Sequence, residues 1–171
     1  MTANHNHNDG KPLVKVVSFG FKKNDVPAAN LMLDVRFLKN PYWVEELRPL
    51  TGRDERVKDY VMDQRLAQDF LGNLLRLIEQ FVPALLEAKT HSVTIAIGCT
   101  GGQHRSVAVA EELSRLMTDD YPQYHVTVWH RELDIDLDMD SISDSDSDSE
   151  PETAGAGDQQ KVLGMVEGGH Q

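Results

Sequence analysis

The chain has a single cysteine, Cys99, in 171 residues. An internal disulfide is excluded, and a lone thiol suits a reducing compartment. No apolar run approaches the roughly 20 residues that a membrane-spanning helix needs. The amino terminus is polar and has no apolar signal core. These absences point to a soluble, cytoplasmic protein without membrane contact. Basic residues are also scarce in one region. Residues 134–171 carry one Lys against eleven Asp and Glu, whereas residues 1–133 carry sixteen Lys and Arg against seventeen acids. The net charge of −11 therefore belongs to the C-terminal stretch, and the rest is nearly neutral. Such a stretch repels nucleic acid and anionic membrane surfaces.

A chain of this length allows one domain with a real core. Residues 1–11 read as a disordered leader and residues 12–133 as the folded domain. Residues 134–171, dominated by Asp, Ser, Gly and Glu, read as a disordered acidic tail. Ser141, Ser143, Ser145 and Ser147 each have an acid three residues on, a pattern open to phosphorylation. No metal or cofactor is expected. His5 and His7 are too few in a floppy arm, and the acidic stretch lacks the glycine and terminal Glu of a calcium loop.

Strands are expected at residues 13–19, 31–35, 93–97 and 124–129, all β-branched and apolar or alternating. Asp54 is placed to cap a short helix running to Met62. Leu66, Phe70, Leu74, Leu77, Ile78 and Phe81 form a helical stripe, with Pro83 as a kink or a new start. Val107, Val109, Ala110, Leu113, Leu116 and Met117 form another. Strands separated by helices give an α/β domain: a mostly parallel sheet of about four strands with helices on both faces.

Between the third strand and its helix lies Gly98-Cys99-Thr100-Gly101-Gly102-Gln103-His104-Arg105-Ser106. A strand, a glycine turn and a helix aim backbone N–H groups at one point, which favours an anion. Arg105 adds a fork of cationic donors. The Walker pattern fails here, because Gln103 and His104 stand where Gly and Lys are required. The dinucleotide pattern fails on glycine spacing. Cysteine, five residues, arginine and serine does fit, at Cys99, Arg105 and Ser106, as in cysteine-dependent phosphatases. There Cys99 is the nucleophile, and Asp34 is the one carboxylate placed to act as acid. A plain capping turn with an inert cysteine stays open beside these readings.

In parallel sheets, ligands gather at the carboxyl ends of the strands. Lys22 follows the first strand, Asp34 and Arg36 end the second, residues 99–106 follow the third, and His130 and Arg131 end the fourth. All would share one edge. The expected binding set is Asp34, Arg36, Cys99, Thr100, Gly101, Gly102, Gln103, His104, Arg105, Ser106, His130 and Arg131. Asp34 and Arg36 are alternatively a structural ion pair, and His130 a satisfied histidine.

GCTGGQHRSV, SFGFK at 18–22, LDVRFLKNPYW at 33–43 and ELRPLTG at 46–52 together resemble the C-terminal domain of the RNase adapter protein RapZ family. The resemblance runs from about Val14 to Leu133. It implies a compact domain that binds a phosphosugar such as glucosamine 6-phosphate and, in some full-length members, RNA. It also implies that the 34–43 region borders the ligand, although some relatives have His where this chain has Tyr42. Full-length relatives carry an N-terminal ATPase-like domain with a Walker loop, a motif this sequence lacks, and a lone copy suggests a protein partner in trans. The leading expectation is a sensor or adapter for a small phosphorylated metabolite. A cysteine phosphatase is the alternative. An RNA adapter is third, disfavoured by the acidic tail.

Overall fold

The computed structural model describes residues 10–23 and 25–143. His5, His7, most of the expected leader and residues 144–171 lie outside the described residues. Five strands form one sheet in the order β2-β3-β1-β4-β5: β1 Leu13–Gly20, β2 Leu31–Asp34, β3 Ser92–Cys99, β4 His125–His130 and β5 Ile135–Asp138. β1 to β4 are parallel, and β5 is antiparallel to β4. The helices are α1 Glu55–Met62, α2 Arg65–Glu87, α3 Arg105–Asp120 and α4 Met139–Ser143. Asp54 caps α1 as expected, its side chain accepting the Arg56 N–H at 3.1 Å. Pro83 lies inside α2, which continues past it to Glu87.

The register of the central strands builds the core. Val14 lies beside Val93 and Val126, and Val16 beside Ile95 and Val128. These side chains share one face and pack with Val57, Val61, Leu74, Ile78, Leu113 and Met117 from the helices. The described helices thus gather on one face, not on both as the alternation of strands and helices suggests. Handedness explains this. β2 to β3 and β3 to β4 step in the same direction across the sheet, and β1 to β2 steps back. Right-handed crossovers then put the returning connection on the opposite face. Among its described residues, 21–23 and 25–30, that connection contains no helix. Phe19 and Phe21 meet edge to face at 4.7 Å on that side.

The C-terminal expectation needs correction at its start. Residues 135–143 form β5 and α4 and are not a disordered tail. Ile135, Leu137 and Met139 alternate with aspartates, and this period of two decides the outcome. Leu137 pairs with Val128 and packs on the core, and Met139 is buried. The aspartates face outward on an edge strand, where charge discourages further pairing.

α3 is seated through Gly52. A Cβ there would collide with the His104 carbonyl and the Ala108 amide of the first turn of α3. Gly52 N–H also donates to the Gln103 carbonyl at 2.9 Å. Gly52→Ala is expected to cost about 1–3 kcal/mol of stability, the range for overpacking, measured as a lower midpoint in urea. An unchanged midpoint would show that the loop yields freely.

Candidate functional site

The parallel strands bring the loop after β3, the N-terminus of α3 and the segment after β2 to one edge. There a cleft of about 350 Å³ is lined by Cys99, Thr100, Gly101, Gln103, His104 and Arg105, together with Lys23, Asn40, Tyr42 and Trp43. Residues 100–104 turn tightly enough that Gly102 takes a φ of +72°, a region that disfavours side chains. The turn rests against β1, since a Cβ on Gly20 would strike the Gly101 and Gly102 backbone.

Arg105 is the organising side chain. It is 5% exposed. Its Nη1 donates to the carbonyls of Arg36 at 2.8 Å and Leu38 at 3.0 Å, and its Nη2 donates to Thr100 Oγ1 at 3.2 Å. Its buried Nε–H has no hydrogen-bond partner among the described residues. Leaving such a donor unsatisfied costs about 1–3 kcal/mol. Gln103 and His104 extend the stitching. Gln103 Nε2 donates to the Leu50 carbonyl at 2.7 Å, and His104 Nε2 lies 3.2 Å from the Arg48 carbonyl. A carbonyl only accepts, so this nitrogen carries the proton. Burial pushes the His104 pKa down, and the nearby Arg105 charge adds to that, against the pull of the carbonyls. His104 therefore enters the cleft as a neutral ring and adds no charge.

Cys99 is buried, its Sγ accepting the Gly102 N–H at 3.3 Å and lying 3.2 Å from Ser106 Oγ. Ser106 and Gly102 thus serve the sulfur and do not line the cleft. One loop amide, that of Gly102, is spent inside the chain.

Four expected binding residues sit elsewhere. Asp34 and Arg36 form an exposed bidentate pair, with Arg36 Nε 2.9 Å from Asp34 Oδ1 and Nη2 2.6 Å from Oδ2. The pairing arginine holds the Asp34 carboxyl below its usual range. Arg36 also covers the Phe21 ring at 4.4 Å. His130 is fully buried, with Nδ1 2.8 Å from Ser18 Oγ and Nε2 2.9 Å from Glu111 Oε1. Arg131 pairs with Glu132 and covers Phe19. Its side chain binds the far side of the sheet. The parity of β4 explains the split: His130 follows Val126 and Val128 onto the helix face.

The resemblance pointed to the 34–43 region as a whole, but Asn40 and Trp43 on the rim, Lys23 on the lining and Glu132 behind the turn were not in the expected binding set. Glu132 Oε1 accepts the Gly20 N–H at 3.3 Å, and its side chain occupies the space beside Gly102. Asn40 and Trp43 stood inside LKNPYW, where a proline turn was the readable signal.

Glu111 joins His130 to Arg53, whose Nε lies 2.9 Å away. Burial raises the Glu111 carboxyl pKa, but the His130 hydrogen bond and charge and the Arg53 charge outweigh it, so the net shift is downward. A carboxyl depressed in the folded state stabilises above its unfolded pKa and loses that contribution as pH falls through the folded value. Glu111→Gln is expected to lower stability at neutral pH by about 1–3 kcal/mol. The deficit should shrink as pH falls below about 4.5, the group's ordinary value. Urea midpoints against pH check this, and a deficit constant down to acid would contradict it.

Residues 12–134 match the family described as the RapZ C-terminal domain. Relatives named "Nucleotide-binding protein" agree. That of Lactobacillus helveticus is 48% identical over 120 residues, covering 70% of this chain and 40% of the relative. That of Paenarthrobacter aurescens is 46% identical over 120 residues, covering 70% of this chain and 39% of the relative. The chain thus spans about two fifths of the length of these relatives. No described helix is long and apolar enough to cross a membrane. With its match spanning β1 to β4 and the cleft between them, this chain belongs to the RapZ C-terminal domain family.

Proposed function

We propose that the cleft binds the phosphate of a small phosphorylated metabolite, a phosphosugar of the glucosamine 6-phosphate kind, and that the domain serves as a sensor or adapter. The observation that carries this is the buried Arg105 side chain on the lining of a cleft where Lys23 adds an exposed cation, its Nε–H without a hydrogen-bond partner among the described residues. The N-terminus of α3, sixteen residues long, contributes its dipole to the same place. Thr100, Gly101 and Gln103 stand on the lining of the cleft and supply the remaining donors. Asp34 and Arg36 serve outside the lining as a pair that holds the rim.

One observation favours a second reading, a cysteine phosphatase. The Gly102 N–H and Ser106 Oγ both contact Cys99 Sγ, so the one thiol sits at the base of the loop that such a mechanism would use. The acid that mechanism needs is missing from the cleft, since Asp34 is engaged by Arg36. The cleft therefore binds its ligand without turnover. The relatives' name, nucleotide-binding protein, makes a nucleotide the other candidate phosphate ester.

Calorimetric titration with glucosamine 6-phosphate tests the proposal. Arg105→Lys is expected to weaken binding about tenfold or more, because an ammonium cannot replace the fork. Lys23→Ala should weaken it a few-fold, as expected for an exposed charge. Circular dichroism of both variants should match that of the unaltered protein. A chromogenic phosphate ester should not turn over, and turnover abolished by Cys99→Ser would establish the phosphatase instead. Unchanged affinity in Arg105→Lys would end the anion assignment. RNA retention by the intact chain is expected to be weak and salt-dependent. The control should be truncated after Ser143, since a cut at residue 134 removes β5 from the sheet. Strong retention by the intact chain would contradict this.

A further inference from the structure

The most exposed large apolar side chain among the described residues is Trp43, at 76%. It stands on the lining of the cleft. Its neighbour Tyr42, 48% exposed, lines the cleft as well. A bare indole on a small domain is informative, because burial of such a ring is strongly favoured.

The platform is held from behind. Residues Pro41–Trp43 form a 3-10 turn with Pro41 buried at its start. The Asn40 side chain caps the turn by accepting the Tyr42 N–H at 3.4 Å. Arg48 Nε donates to the Tyr42 carbonyl at 3.0 Å, and its guanidinium covers the Tyr42 ring at 5.1 Å. Tyr42 then meets Trp43 edge to face, with centroids 5.5 Å apart at 83°. The tyrosine thereby touches both a cation and the indole. The turn itself is tied to the anion loop, since Arg105 holds the Arg36 and Leu38 carbonyls just before it. Aromatic surface and phosphate donors are thus fixed relative to each other.

We infer that Trp43 is the specificity-determining wall of the cleft, stacking against the ring of a cyclic phosphate ester while the loop after β3 holds its phosphate. This deepens the proposed function and rests on it. The ligand class becomes a phosphate ester of a ring with a flat or apolar face, selected over open-chain esters and free phosphate. A sugar ring would present C–H groups to the indole, and an amino substituent would add cation–π attraction. A nucleobase would stack face to face. Aromatic stacking of a base is worth about 1–3 kcal/mol by alanine substitution, which corresponds to roughly 5- to 150-fold in affinity.

The test uses the intact chain and four probes: inorganic phosphate, glycerol 3-phosphate, glucosamine 6-phosphate and adenosine monophosphate. Affinities are measured by calorimetry for the unaltered protein, Trp43→Ala and Trp43→Phe. At least one ring ester should bind about tenfold or more tightly than the open-chain ester. Trp43→Ala should erase that preference and leave inorganic phosphate unchanged, while Trp43→Phe should keep most of it. Which ring ester responds tells a sugar from a nucleoside. A ring preference that survives Trp43→Ala overturns the inference, as does an equal loss for inorganic phosphate. Failure of every probe, inorganic phosphate included, to bind the unaltered protein overturns the anion reading itself and this inference with it.

Discussion

A single buried guanidinium sets the relation between the two halves of the cleft. Arg105 begins α3, yet two of its bonds go to the carbonyls of Arg36 and Leu38 on the segment after β2. Those carbonyls end no strand or helix ladder and would otherwise be costly to bury. The rim turn, with Asn40, Tyr42 and Trp43, follows directly. Gln103 and His104 repeat the device at Leu50 and Arg48. Three consecutive side chains at the end of the glycine loop thus hold one long connection by its backbone. The loop positions its own opposite wall, and a ligand's phosphate would meet a guanidinium already committed to that wall.

The sheet explains why this happens at one edge. Parallel pairing of β1, β2, β3 and β4 puts every strand's carboxyl end on the same side. That much was legible in the sequence, because apolar runs alternated with helical stripes and the polar residues fell where the runs ended. The glycine loop after β3 was legible for the same reason. Its glycines and Arg105 lie between a clear strand and a clear helix. The faces of the sheet were not legible, since one crossover has no helix, and only the strand order reveals which face it crosses.

The misses have physical causes in particular residues. Ile135, Leu137 and Met139 carried a period of two, but the surrounding aspartates dominated the composition and hid a strand that buries Leu137 and Met139. His130 stood at a strand end beside Arg131, and position alone suggested a ligand contact. Its parity with Val128 was the better signal, and it leads into a buried network with Ser18 and Glu111. Asp34 and Arg36 were correctly open to an ion-pair reading, and that pair is what forms. His104 was expected in the binding set, and burial holds its pKa down, so it adds no charge there. The rim aromatics depended on a proline turn whose direction no local pattern dictates.

The central claim is that Arg105 and the loop beside it receive a phosphate, and nuclear magnetic resonance of the arginine side chain tests it most directly. On titration with inorganic phosphate, the Arg105 Nε–H resonance and the Thr100, Gly101 and Gln103 amides should move together. The signals of α2 should stay in place. An Nε–H resonance that does not respond, or a response centred away from the loop after β3, would contradict the account.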